Sequence, residues 1–207
     1  MRKSDFHKPI TKNNMKTKDY KMSFEFNPSL FDNLLKYLKP ENGEKILDLG
    51  CARGFYVKKL ENYTNEVLGV DACGNFIRKR VTPRVKYGDV TSLDFKDNSF
   101  DKIYSIHTAE HMADLEKFFS EAARILRPGG VAVFVYPWEP FRGFQAIFPA
   151  LRIYKNPFMA RKIHLHKLTP KKVKKFIESV PFRHLNSKFV FALGFHYFTV
   201  LIKNPVA

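Results

Sequence analysis

Lys45-Ile46-Leu47-Asp48-Leu49-Gly50-Cys51-Ala52-Arg53-Gly54-Phe55-Tyr56-Val57-Lys58-Lys59-Leu60 decides how this chain reads. Residues 45–49 have strand character and close on a carboxylate. A run of small residues follows, and residues 54–62 open a helix. Strand, tight turn and helix N-terminus form a nucleotide-binding corner, because small residues let the backbone approach a ligand and the first helical N–H groups face it. A dinucleotide fingerprint would place its third glycine at position 55, which is Phe55. A phosphate-binding P-loop would end in Gly-Lys-Ser/Thr, and that is absent too.

Small residues at 50, 52 and 54 behind Asp48 give the spacing D-x-G-x-A-x-G. This resembles motif I of the class I S-adenosylmethionine (SAM) methyltransferases. The difference from a dinucleotide site makes chemical sense: the methionyl part of SAM is cationic and has no pyrophosphate, so an acidic residue suits the loop. Ala52 stands where glycine is usual, which predicts a backbone angle that a non-glycine residue tolerates.

Outward from this corner the chain keeps the same pattern. Apolar residues at 30, 31, 34, 35 and 38 form a helical stripe between Pro28 and Lys39. Glu66 to Val70 reads as a second strand ending at Asp71, placed to accept from the ribose hydroxyls, with Ala72 beside it. A third strand, Arg84 to Tyr87, leads to Asp89 and Val90. The resemblance assigns these two to the adenine amino group and the adenine ring. The fourth strand, Phe100 to Ile106, runs into His107-Thr108-Ala109-Glu110-His111-Met112-Ala113-Asp114. This stretch resembles the S-F-D-x-I-x-S…E-H-x-x-D segment of the methyltransferase subgroup that includes the ubiquinone and menaquinone methylases. A helix over 114–126 carries Glu121-x-x-Arg124-x-Leu126-x-Pro128-Gly129-Gly130, which ends it before a fifth strand, Val131 to Tyr136.

The resemblance implies a doubly wound α/β fold: a mostly parallel seven-stranded sheet, helices on both faces and a C-terminal antiparallel strand. Lys188 to Leu193 and Phe195 to Lys203, hinged at Gly194, fit the closing hairpin. Residues 23–207 read as one domain, with an insertion at about 137–168 after the fifth strand. Its positions 141, 144, 148 and 151 share a helical face, which suits a lid over the cofactor, a basic amphipathic surface for lipid, or a nucleic-acid groove. Thr169 and Pro170 then start a Lys-rich helix over 170–179.

The chain of 207 residues carries a net charge of +16. Residues 1–22 hold +5 and read as a basic flexible tail; residues 23–136 are neutral; residues 137–190 hold +10. No apolar run reaches the roughly 18–20 residues of a membrane span, so the expected setting is the cytoplasm, in solution or against a membrane surface. Cys51 and Cys73 lie in the cofactor segments and no zinc-type His/Cys spacing occurs; both read as small buried side chains, and no metal is expected.

The expected activity is methyl transfer from SAM, giving S-adenosyl-L-homocysteine, to an acceptor that is small, lipid-like or anionic. Asp48, Gly50, Cys51, Ala52, Gly54, Asp71, Ala72, Asp89, Val90, Ile106 and His107 are the candidate cofactor residues. His111 and His107 are the candidate bases, since imidazole titrates near neutrality; Tyr136, Trp138, His164 and His166 are the candidate acceptor contacts. No Asp/Asn/Ser-Pro-Pro-aromatic signature follows the fourth strand, which disfavours methylation of base amines. An RNA- or DNA-binding protein or nucleic-acid methyltransferase using the basic segments, and a SAM-binding regulatory subunit without turnover, remain the alternatives.

Overall fold

The computed structural model describes residues 26–205; the expected basic tail, residues 1–22, lies outside them. Strands β1 (Ile46–Leu49), β2 (Val67–Asp71), β3 (Val85–Tyr87), β4 (Phe100–Ile106) and β5 (Leu126–Pro137) pair in parallel. The antiparallel hairpin β6 (Phe182–Phe191) and β7 (Phe195–Lys203) joins through β7. The seven strands run in the order β3-β2-β1-β4-β5-β7-β6, the doubly wound arrangement expected.

Strand side chains alternate between two layers, because successive residues point to opposite faces. Ile46, Tyr104, Val133 and Val135 face α1 (Pro28–Leu38) and α2 (Phe55–Leu60), and the short α3 (Gly74–Arg78) follows β2. Leu47, Leu49, Phe134 and Tyr136 face α4 (Leu115–Ile125) and α7 (Pro170–Phe176). Phe118, Phe119 and Phe134 meet edge to face in that second layer, each burial contributing roughly 1.5–3 kcal/mol.

Helix starts follow capping chemistry. Asn27, Asp114 and Thr169 each accept a hydrogen bond from an N–H of the first turn. Asn27 also donates through Nδ2 to Ala192 O at 2.7 Å, which ties α1 to the tip of the β6–β7 hairpin. The Glu121-x-x-Arg124 pair fastens the loop before β4 to α4. Arg124 donates to both Glu121 oxygens, to Asp97 and to the carbonyls of Leu93 and Phe95, while Glu121 Oε1 accepts from Leu93 N.

The insertion folds as short helices rather than one amphipathic rod: a 3-10 turn at Phe144–Ala146, α5 (Ile147–Tyr154), a 3-10 turn at Pro157–Met159 and α6 (Ala160–Ile163). Its inner face is Ala146, Ala150, Ala160 and Ile163. The larger residues of the expected helical face, Phe141, Phe144, Phe148 and Leu151, are exposed. Small alanines allow α5 and α6 close approach, and that leaves the aromatic side chains outside. Strand β6 begins at Phe182, six residues before the expected start at Lys188.

Candidate active site

In the sheet order, β1 lies between β2, which follows it in the chain, and β4, so the winding reverses between β1 and β4. Ligands of doubly wound sheets bind outside the strand ends at such a reversal. The loop after β1 and the turn after β4 meet there. Thr108, 1% exposed, packs on Gly50; a Cβ at Gly50 would stand 2.1 Å from Thr108 Oγ1, and the Gly50 φ is +85°. Only glycine satisfies both conditions.

Asp71 organises the cofactor corner. Its Oδ2 accepts from Ala52 N at 2.9 Å and its Oδ1 from Cys73 N at 2.8 Å, joining the β1 loop to the turn after β2. The carboxylate is fully buried in doing so. Ala52 has φ +48°, in the left-handed region. This corrects the expectation of an angle comfortable for a side chain: the Asp71 bond holds the alanine in a conformation that costs L-residues roughly 1–2 kcal/mol.

Asp48 is 3% exposed and faces the α1–α2 layer. Its charge, after burial itself, pushes up the phenol pKa values of Tyr104 and Tyr56, the latter to about 12. Cys51 packs into the same layer, with Val57 beside the bare Gly69. Both cysteines are buried thiols. Gly54, φ +83°, caps α2, and Ala72 is half-buried beside Asp71. Asp89, exposed at the tip of β3, turns Oδ1 onto Thr91 N and Oγ1. Val90 packs into the α4-side core rather than lying on an open surface.

Past β4, Ile106 is half-buried and His107 has φ +52°. His107 Nε2 lies 3.0 Å from His196 Nδ1, and its Nδ1 lies 3.3 Å from Glu110 Oε1. His196 Nε2 stands 3.3 Å from Ala192 O, and burial, then the neighbouring His107, lowers the His196 pKa to about 4. His111 places Nδ1 2.7 Å from Ile163 O. The candidate bases His107 and His111 therefore flank one carboxylate, Glu110. Burial would raise the Glu110 pKa, but His107, His111 and His164 together bring it down to about 2.

The end of the insertion is strapped across this turn. Leu165 N and His166 N donate to Glu110 O, and His166 Nε2 donates to Met112 O at 2.9 Å. His164, 6% exposed, holds Nδ1 2.8 Å from Glu139 Oε1. Burial acts to lower the His164 pKa, but Glu139 and Glu110 raise it on balance. Glu139 also accepts from Gly143 N and Gln145 N; this carboxylate, which fixes the start of the insertion, was missed by sequence reasoning. Its signal was the single acidic residue among the basic ones of the insertion, 137–168. Among the described residues Glu110, His111 and His164 offer three ligand atoms within 4.8 Å of one another, a cluster that local spacing does not show.

Two of the expected acceptor contacts move elsewhere. Tyr136 is fully buried, with its hydroxyl 2.8 Å from Thr199 Oγ1, so it belongs to the core. Trp138 is half-buried against Phe189 and Phe195 of the hairpin. His166 serves the strap through its ring bond.

Small residues at the β1 loop, carboxylates at neighbouring strand tips and the Asp71 clasp fit a cationic adenosyl compound better than a pyrophosphate. The family model described as a methyltransferase domain matches residues 47–134. The sterol 24-C-methyltransferase of Schizosaccharomyces pombe is 30% identical over 126 residues, 56% of this chain and 32% of that protein. A Mycolicibacterium smegmatis protein named as a probable S-adenosylmethionine-dependent methyltransferase is 30% identical over 132 residues, 61% of this chain and 49% of its own. The chain thus spans a third to a half of these relatives' length. Among solved structures, the PH0226 protein of Pyrococcus horikoshii aligns with a TM-score of 0.64 at 22% identity, over 99% of this chain and all of that one. The cyclase SpnF aligns at 0.65 and 15% identity, over 84% of this chain and 80% of its own; these two show the fold alone. Residues 47–134 thus match a methyltransferase domain, and the strand order and the relatives agree with a class I SAM-dependent methyltransferase.

Proposed function

We propose that the chain transfers a methyl group from SAM to a lipid-like acceptor taken from an anionic membrane surface. The carrying observation is the outer face of the insertion and the hairpin beside it. Phe148 and Phe158 are 84% and 85% exposed, and Phe191 and Leu193 are 67% and 72% exposed. Gln145 Nε2 donates to both Trp138 O and Phe195 O, joining the two aromatic groups. Arg142, Arg152, Lys155, Arg161 and Lys162 are interspersed through the insertion. Apolar surface with basic residues beside it suits insertion among anionic head groups. The sterol 24-C-methyltransferase relatives agree with a lipid acceptor. Among the described residues no helix is long and apolar enough to cross a membrane, so the contact is peripheral.

SAM, when bound, supplies an electrophilic methyl group. The loop from Gly50 to Gly54 and Asp71 would hold it, and Asp89 would accept from the adenine amine. His107, with Glu110 and His111 behind it, would take the acceptor's proton where the nucleophile carries one. Orientation and exclusion of water supply most of the rate, on the order of 7–11 kcal/mol when the reacting atoms are aligned.

The test is incubation with radiolabelled SAM and membrane lipid extract, alongside RNA and soluble metabolites. Label in the lipid fraction, with cosedimentation on phosphatidylserine vesicles but not phosphatidylcholine ones, supports the reading. Label in RNA, with affinity falling steeply with salt, refutes the lipid acceptor. His111→Ala should lower turnover more than SAM affinity; equal loss of both would remove His111 from the chemistry.

A further inference from the structure

Glu110 is the most exacting group of the described residues. It is fully buried, and no hydrogen bond reaches Oε1 or Oε2. A buried ionised carboxylate costs several kcal/mol unless a counter-charge sits on it. His107 Nδ1 at 3.3 Å and His111 Nε2 at 4.0 Å approach only Oε1.

Two imidazoles beside it are oriented by acceptors behind them. His111 Nδ1 points to Ile163 O at 2.7 Å, and His164 Nδ1 to Glu139 Oε1 at 2.8 Å. Each neutral ring then carries its proton on Nδ1 and its lone pair on Nε2. The rings stand nearly perpendicular, with centroids 4.9 Å apart. A carbonyl or carboxylate holding the far nitrogen of a ligating histidine is the usual outer shell of a metal site, where it fixes the tautomer and raises basicity.

We propose that Glu110, His111 and His164 bind one divalent transition-metal ion of the zinc type. Two imidazoles and one carboxylate are the donors of three-ligand zinc sites, which keep a fourth position for water, and imidazole disfavours magnesium and calcium. Metal–nitrogen bonds of about 2.0–2.1 Å set ligand atoms roughly 3.4 Å apart in a tetrahedron. The three atoms lie within 4.8 Å of one another, so the closure needed is at most roughly 1.4 Å, within the reach of side-chain torsions. The ion would neutralise Glu110 and lock the strap at 163–166 onto the turn at 109–111. The binding step stands on this geometry and does not rest on the methyl-transfer reading.

The experiment is titration of tag-free, chelator-treated protein with Zn2+ by calorimetry, repeated with Co2+ by visible absorption. SAM titration of the same preparation serves as the control for a folded cofactor site. The expected result is one tight equivalent, with a rise in melting temperature and Co2+ bands of a nitrogen/oxygen site. His164→Ala and Glu110→Gln should each weaken Zn2+ at least 100-fold. Glu139→Gln, which alters the group behind His164 Nδ1 without removing a proposed ligand, should weaken it about 10–100-fold. His184→Ala should change nothing, because that ring bonds Ser187 Oγ away from the cluster. Folded wild-type protein that takes up no Zn2+, or uptake that His164→Ala and Glu110→Gln leave within twofold, overturns the site.

Discussion

Replacing Ala52 with glycine should make this protein more stable, against the general expectation for glycine. Ala52 sits at φ +48°, held there by the bond from its N–H to Asp71 Oδ2. Leaving an L-residue in that region costs roughly 1–2 kcal/mol, and glycine removes the cost. Against this, glycine adds about 0.4–1 kcal/mol of freedom to the unfolded chain. The remainder is a gain of about 0.5–1 kcal/mol. For a domain of this size 1 kcal/mol moves the melting temperature by about 2–4 °C, so the expected rise is about 1–4 °C by calorimetry. SAM affinity should be kept, because the Ala52 amide survives the change. A fall in melting temperature would refute the reasoning, since it would mean that the methyl group contributes more by packing than the backbone loses.

Three further outcomes follow from the same geometry. Gly50→Ala should destabilise by about 2–5 kcal/mol, from the left-handed angle and the collision with Thr108, and abolish SAM binding; a stable, binding variant would show that the loop has room. Arg124, followed by burial acting the other way, holds the Glu121 carboxyl below its ordinary 4.5. A depressed folded pKa contributes stability that is complete above 4.5 and fades as pH falls through the lower folded value. Urea midpoints of the wild type and Glu121→Gln should therefore differ most at neutral pH and converge in acid; a constant gap would disprove the coupling. Phe148→Ser should weaken binding to phosphatidylserine vesicles while leaving the melting temperature within about 1 °C, as exposed positions allow; unchanged vesicle binding would move the membrane contact elsewhere.

The cofactor half was legible because parallel strands buried on both faces read as short apolar runs, and β1, β2 and β4 each lead into polar groups at the crevice. Motif spacing carried more than the fold: Glu121 and Arg124, read as a family signature, prove to be the clamp on residues 93–97. Legibility failed where pairing is long-range. His111 and Ile163 are 52 residues apart in sequence, and His164 and Glu139 are 25 apart; no local period links them. The insertion misled because a stripe of phenylalanines marks a helical face without saying whether it turns inward. Ala146 and Ala150, inconspicuous in the sequence, decided that question by packing on α6. Strand β6 was cut short because Arg183, His184 and Asn186 near its start break the apolar pattern.

The central claim is that the corner between β1 and β2 binds SAM, and calorimetric titration of the wild type against Asp71→Ala tests it most directly. The account predicts one molecule bound per chain and a loss of roughly 1–3 kcal/mol in the variant, with circular dichroism showing that the variant is folded. Wild-type protein that binds no SAM, or a folded variant that binds it equally well, would contradict the account.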